Sequence, residues 1–217
     1  MNIYKFSLIP LLLSLSSGCS LLFPTEAGDD LSHFKQEAPK VGSTAPDFEL
    51  QDVDGNTVSL KDLIGKKPIV LQMGSHSCPV YRYRRFDMND LHAEFKDDVN
   101  FLIVYTIEAH PKGTNSPYSD EEWVHFVNEL TSTYVEQPDS QQQRVKLADD
   151  STKGLDIKYA PVLVDTISNQ VWKKYGRAPS AAYVIDQQGK IAVRQAWIDP
   201  PALKVALEKL LGRMPEN

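Results

Sequence analysis

Apolar residues fall into short dense runs separated by polar stretches, and the runs predict strands alternating with helices. Phe48, Leu50 and Val53 are interleaved with polar residues ahead of Asp54-Gly55, and Val58 and Leu60 alternate with polar residues after it. Two alternating runs around Asp-Gly predict a β-hairpin. Residues 68–73 form a compact apolar run between Lys66-Lys67 and Gly74, the mark of a buried strand. After Cys78-Pro79, residues to about 96 carry Phe86, Leu91 and Phe95 near helical spacing. Residues 99–107 are almost all apolar and rich in β-branched and aromatic side chains, as expected of an interior strand. Ser119, with Glu122 three positions on, predicts a capped helix whose apolar stripe is Trp123, Phe126, Val127 and Leu130.

The rest of the chain continues the alternation. Residues 136–155 are polar and read as part helix, part loop. Residues 161–164 predict a strand and 171–175 a helix. Residues 181–186 and 190–193 flank a turn at 187–189 and predict a second hairpin. An amphipathic helix follows over 200–211. This order predicts an α/β domain over residues 41–213: a mixed central sheet flanked by helices, with an N-terminal β-hairpin extension. Reactive groups in such sheets collect outside the carboxyl ends of the strands.

The first residues change the picture. Lys5, an apolar run from Phe6 to Leu15 and small residues Ser16-Ser17-Gly18 ahead of Cys19 make the pattern of an export signal. The apolar run is too short to span a bilayer, which takes about 20 residues. The stretch Leu15-Ser-Ser-Gly-Cys19 resembles a bacterial lipoprotein signal. It implies a signal over 1–18, lipidation of Cys19, and a lipid-anchored protein in the cell envelope, periplasm-facing or extracellular. Residues 19–40 lack sustained periodicity and are expected to be a flexible tether. With 217 residues the chain is long enough to bury a core without metal or disulfide staples. Its net charge of −6 argues against nucleic-acid partners, despite the basic–aromatic run Tyr81-Arg-Tyr-Arg-Arg85.

There are two cysteines. If Cys19 is taken by lipidation, Cys78 is the one thiol of the domain. It sits between a predicted strand and a predicted helix, in Gly74-Ser-His-Ser-Cys-Pro79. The free N–H groups and partial positive charge of a helix start favour the thiolate, the nucleophilic form. Pro79 suits the first helical turn. Ser75 and Ser77 offer hydroxyl donors, while Arg82, Arg84 and Arg85 add positive potential. Glu108 and His110 emerge where the 99–107 strand ends. They lie two positions apart, hence on one side of an extended chain, and are expected to face the thiol if the two strands are neighbours. A carboxylate and a histidine titrating near neutrality suit proton delivery. His76 is expected to be exposed or to line the substrate. His33, His92 and His125 read as ordinary surface or core residues. No cluster has metal-ligand spacing.

Several segments resemble known families. Residues 42–50 with Asp54-Gly55 are similar to the opening of peroxiredoxin-like redoxin domains. Cys78-Pro79 stands where thioredoxin-fold proteins carry their active cysteine, although Tyr81 replaces the second cysteine of Cys-x-x-Cys. Leu71 stands where peroxiredoxins have proline, while Ser75 fits their pattern. Pro179, before the predicted 181–185 strand, resembles the cis-proline opposite the active cysteine of thioredoxin folds. A fuller likeness is to the iodothyronine deiodinases and their bacterial relatives. It rests on Gly74-Ser-His-Ser-Cys-Pro79, on Tyr105-Thr-Ile-Glu-Ala-His110, and on Pro161-Val-Leu-Val-Asp-Thr166 running on to Tyr175-Gly176, Pro179 and Tyr183-Val-Ile185.

That resemblance implies a thioredoxin-like fold. It casts Cys78, in the place of selenocysteine, as nucleophile, Glu108 and His110 as the proton-transfer pair, and Ser75 and Tyr105 as supports. The stretch after His110 departs from the family by lacking Asp-Gly-Trp. The implied function is thiol-dependent reductive chemistry on a small electrophile, such as a halogenated aromatic. An external thiol reductant would regenerate Cys78, and no cofactor is bound. Alternatives are a one-Cys peroxidase acting on peroxide, and a non-catalytic lipid-anchored binding domain.

Overall fold

The computed structural model describes residues 31–213. The signal-like segment, Cys19 and the first part of the expected tether lie outside the described residues. The elements follow in order: α1 (Ser32–Glu37), β1 (Glu49–Gln51), β2 (Thr57–Ser59), β3 (Ile69–Gly74), α2 (Pro79–Phe95), β4 (Asn100–Tyr105), α3 (Phe126–Leu130), α4 (Gln141–Gly154), β5 (Val162–Val164), α5 (Gln170–Lys174), β6 (Ala182–Ile185), β7 (Ile191–Gln195) and α6 (Pro200–Leu210). A five-stranded sheet has the order β5-β4-β3-β6-β7. β3, β4 and β5 are parallel, while β6 and β7 run antiparallel to their neighbours. The fold is thioredoxin-like: a mixed sheet flanked by helices, with the β1–β2 hairpin forming its own small sheet.

β3 lies at the centre, and all six of its residues are buried. A strand covered on both faces is apolar on both, which is why 68–73 reads as a run rather than an alternation; its one polar side chain, Gln72, is buried and accepts the Tyr159 hydroxyl at 2.8 Å. Its register with β4 places Gly74 beside Tyr105. Both strands therefore end together, and the Cys78 loop and the Glu-Ala-His stretch leave the sheet side by side. Gly74 is required by close approach: a Cβ there would lie 2.4 Å from the Tyr81 ring.

Three expectations are corrected. First, the tether ends earlier than predicted. Residues 32–37 form α1, with Phe34 buried 6.1 Å from the Tyr183 ring and the Arg194 guanidinium 5.2 Å over it. A single buried aromatic on a short helix leaves no periodic signal, so the pattern missed it. Second, the capping box at Ser119–Glu122 does not form. Glu122 accepts the N–H of Gly113, and Ser119 accepts that of Glu121. These local bonds hold the segment as a loop, and the helix starts only at Phe126, capped by the His125 ring accepting from Val127 at 3.2 Å. Third, every described peptide bond, including the one before Pro179, is trans. Gly176 and Arg177, both at positive φ, turn the chain ahead of β6. Among the described residues no helix is long and apolar enough to cross a membrane.

Candidate active site

Cys78 is the N-cap of α2, a helix of 17 residues with Pro79 in its first turn. Its backbone N–H donates to the Ser75 carbonyl at 3.1 Å, closing a tight loop between β3 and α2. Its side chain carries a thiol, not a disulfide, and the residue is only 1% exposed. The surroundings are not purely apolar. Burial lowers the Arg82 pKa and raises that of the Tyr81 phenol; charge on Cys78 opposes the first shift and adds to the second, so both side chains sit in the field of the sulfur.

β4 delivers the second half of the site. The strand stops at Tyr105, and Thr106 turns its N–H onto the Gly74 carbonyl at 2.9 Å. Past that bond the chain bends at residues 107, 109 and 110, so the extended alternation expected to set the Glu108 and His110 side chains on one side does not continue. Glu108 is fully buried. Its carboxylate accepts the backbone N–H of Ser77 at 2.7 Å and the hydroxyl of Tyr105, which in turn accepts the His76 N–H at 3.2 Å. The Gln137 side chain brackets the Glu108 backbone, accepting from its N–H at 3.1 Å. Burial raises the Glu108 pKa above the usual carboxylate range, while the Tyr105 and Ser77 bonds and the Arg144 charge pull it back.

His110 is tied to the loop by its backbone, whose N–H donates to the Ser77 hydroxyl at 2.9 Å. Its ring stands edge-on to Trp123 at 4.4 Å and lies 5.2 Å from His125. Burial, with help from His125 and Arg82, pushes its pKa down to about 3, against an opposing bond to the Trp123 backbone. This corrects the expectation of a histidine titrating near neutrality: the ring is neutral there, and the buried carboxyl is the group whose pKa moves toward neutral.

The other expected residues are placed as follows. Ser75 accepts the Ala109 N–H at 3.2 Å, so both loop serines stitch the Cys78 loop to the Glu-Ala-His turn. His76 is not exposed. Its ring bonds the Ser151 hydroxyl on α4 at 2.9 Å, and burial lowers its pKa. Arg82 donates to the His76 carbonyl at 2.5 Å and to Asn128 at 2.7 Å. Arg84 instead pairs with Asp87, and Arg85 lies over the Phe86 ring. Pro179 is buried just ahead of β6. Among the described residues no cluster of His, Cys, Asp and Glu can hold a metal ion.

Sequence reasoning missed several members. Asn128 is fully buried in α3 and donates to the Ser77 carbonyl at 2.8 Å. Trp123 and His125 cover His110, and Ser116 donates to the Ala109 carbonyl at 2.8 Å. A polar residue within an apolar stripe, as Asn128 is, was the available signal. A cavity of about 290 Å³ is lined by Tyr118, Trp172, Arg177, His33 and residues 117, 119 and 120, and by no residue of the Cys78 loop or of 108–110. Ser116, whose hydroxyl also accepts the Tyr118 N–H, links it to Ala109.

Comparison with known proteins gives a concordant result. The family model for iodothyronine deiodinase matches residues 27–198. A type I iodothyronine deiodinase from Xenopus laevis is 32% identical over 152 residues, covering 70% of this chain and 54% of that protein. A thyroxine 5-deiodinase from Gallus gallus is 30% identical over 186 residues, covering 79% of this chain and 66% of that protein. The chain thus spans between about half and two thirds of the length of these relatives. Among solved structures, the exposed lipoprotein thioredoxin of Streptococcus pneumoniae superposes with a TM-score of 0.53 at 24% identity, covering 76% of this chain and all of that one. The thioredoxin domain of a thiol-disulfide oxidoreductase from Bacteroides vulgatus gives 0.53 at 19% identity, covering 79% and 98%.

Proposed function

The chain belongs to the iodothyronine deiodinase family, and from that membership we propose that it is a thiol-dependent oxidoreductase that removes halogen reductively from an aromatic substrate, with Cys78 as its nucleophile. The observation that carries this reading is the placement of Cys78 at the N-cap of α2 while the buried Glu108 carboxylate accepts the N–H of the preceding residue. A helix start favours the thiolate. A buried carboxyl with a raised pKa can take the thiol proton and return it.

The reaction balances as follows. Glu108 accepts the proton of Cys78. The thiolate sulfur attacks the halogen, a sulfur–halogen bond forms, and the carbon–halogen bond breaks with its electron pair left on carbon. That carbon takes the proton from Glu108. One external thiol displaces halide from sulfur to give a mixed disulfide, and a second releases Cys78. The carbon gains two electrons, and two thiols become one disulfide. His110 takes part as a neutral ring, holding the Ser77 hydroxyl through its backbone and packing against Trp123. The signal-like residues 1–18 and Cys19 support an envelope location with a lipid anchor.

The test is release of iodide from an iodinated phenol in the presence of dithiothreitol. Wild-type protein releases it, and the Cys78→Ser variant does not. Equal release by both, or consumption of hydrogen peroxide without iodide release, overturns the reading.

A further inference from the structure

The peptide between His76 and Ser77 is held at both ends by opposite charges. Its carbonyl accepts the Arg82 guanidinium at 2.5 Å, and its N–H donates to the Glu108 carboxylate at 2.7 Å. In a trans peptide these two groups point in opposite directions. Arg82 and Glu108 therefore sit at the two poles of one peptide dipole, each in the orientation that the dipole favours. A cation on the oxygen withdraws electron density from the nitrogen and makes its N–H a stronger donor. Hydrogen bonds in such a chain polarise one another.

The guanidinium itself is fixed. Its second nitrogen donates at 2.7 Å to the Asn128 side-chain oxygen, and Asn128, 0% exposed, returns its own N–H₂ to the Ser77 carbonyl at 2.8 Å. One planar side chain thus aligns Arg82 and the peptide that carries Cys78. The five-donor fork of arginine spans the His76 carbonyl and Asn128 together, and a lysine ammonium cannot reproduce that geometry.

We propose that Arg82 acts on Glu108 through the His76–Ser77 peptide, and that Asn128, by fixing the guanidinium, is a second positioning residue for the same carboxylate. Neither residue touches the reacting atoms. They keep Glu108 able to receive a proton from Cys78, and the inference rests on the reading of Glu108 given above. The other charged or titratable groups coupled to this carboxyl are Tyr105 from β4, which bonds it, Arg144 from α4, and Tyr81 near the start of α2, and the Glu108 charge also acts directly on Arg82.

The experiment reads Glu108 without turnover. The infrared carbonyl band of its protonated carboxyl, assigned by its loss in Glu108→Gln, is titrated in the full chain for wild type, Arg82→Lys, Arg82→Met, Asn128→Ala and the Arg82→Lys/Asn128→Ala pair. Folding of each variant is checked by circular dichroism, and the milder lysine variant keeps the test available if methionine is not tolerated. The expected result is a midpoint raised by about one pH unit, tenfold in the ionisation equilibrium, on loss of the guanidinium. Arg82→Lys and Asn128→Ala are each expected to give part of that shift, and the pair no more than the larger of the two, because both act through one group. An unmoved or lowered midpoint in the arginine variants overturns the relay, and additive shifts in the pair overturn the role of Asn128. Iodide release and Cys78 alkylation are measured separately, so loss of dehalogenation with an intact Glu108 shift counts against the functional reading alone.

Discussion

Glu108 accepts the backbone N–H of Ser77 at 2.7 Å although the two residues are 31 positions apart in the chain. The bond ties the end of β4 to the loop that carries Cys78, so a change at Glu108 alters both charge and loop position.

Glu108→Gln keeps the shape and removes the charge. The new amide N–H₂ also competes with the Tyr105 and Ser77 donors that the carboxylate now satisfies. The expected loss is about 10²–10⁴ in kcat/KM for iodide release, the usual worth of a positioned proton carrier. The wild-type rate is expected to fall as pH drops through the raised Glu108 pKa, because the ionised form must accept the thiol proton. That acid limb is absent from the variant. A glutamine variant with the wild-type rate and the same acid limb would remove Glu108 from the chemistry.

His110 gives a prediction about stability. Its folded-state pKa is pushed down to about 3 from an ordinary value of 6.5. Between those values the unfolded chain binds a proton that the folded protein refuses. Its contribution is therefore fully present above 6.5 and is lost as pH falls toward 3, at up to about 1.4 kcal/mol per pH unit. Glu108 and Asp165, whose pKa values are raised by burial, slope the other way, and they are common to wild type and variant. Urea unfolding of wild type and His110→Gln across this range isolates the histidine. The stability gap should shrink steadily with acidity, and a gap constant from pH 6.5 to about 3.5 contradicts a buried neutral ring.

The sheet was legible in the chain because each strand carries its own local signal. Residues 68–73 and 99–107 are dense apolar runs, broken only by Gln72, Asn100 and Thr106, since β3 and β4 are interior, and Asp54-Gly55 marked the first hairpin. Cys78, Glu108 and Tyr105 were readable from motif and position, and the structure joins Tyr105 and Glu108 directly. What was hidden depends on long-range partners. Asn128 looks like an interruption of a helix stripe until Ser77 and Arg82 meet it. Arg82 was the arginine singled out as a supporting residue, and the fold turns it to the loop while Arg84 pairs with Asp87 and Arg85 lies over Phe86. The expected pairing of Glu108 with His110 assumed an extended chain, but the strand ends at Tyr105 and the turn sends the two side chains to different neighbours.

The source of electrons is open to a direct test. Cys78 is the one cysteine among the described residues, and the chain's other cysteine is Cys19. If an external thiol resolves the intermediate, Cys19→Ser protein with excess dithiothreitol turns over at the wild-type rate. Without thiol it stops after at most one halide per chain, leaving Cys78 modified. Mass spectrometry of the Cys78 peptide after a thiol-free incubation checks this. Repeated turnover without thiol, or dependence on Cys19 in the presence of thiol, rules the scheme out.

Gly74 tests how tightly the sulfur is placed. A Cβ at this position would lie 2.4 Å and 2.7 Å from Tyr81 ring carbons. Tyr81 is buried and belongs to the first turn of α2, directly after Cys78. The strand cannot give way, because Gly74 pairs with Tyr105 and its carbonyl holds the Thr106 N–H. Gly74→Ala must therefore push on α2 and carry Cys78 with it. Overpacking of this kind costs about 1–3 kcal/mol, and a displacement of about 1 Å near the chemistry can cost 10²-fold in rate. Both losses are expected, in urea unfolding and in iodide release. In the Tyr81→Ala background the ring is gone, so adding Gly74→Ala should cost far less than it does in the wild-type chain. If the glycine substitution costs the same in both backgrounds, the clash is not with Tyr81, and the proposed coupling of β3 to the position of Cys78 fails.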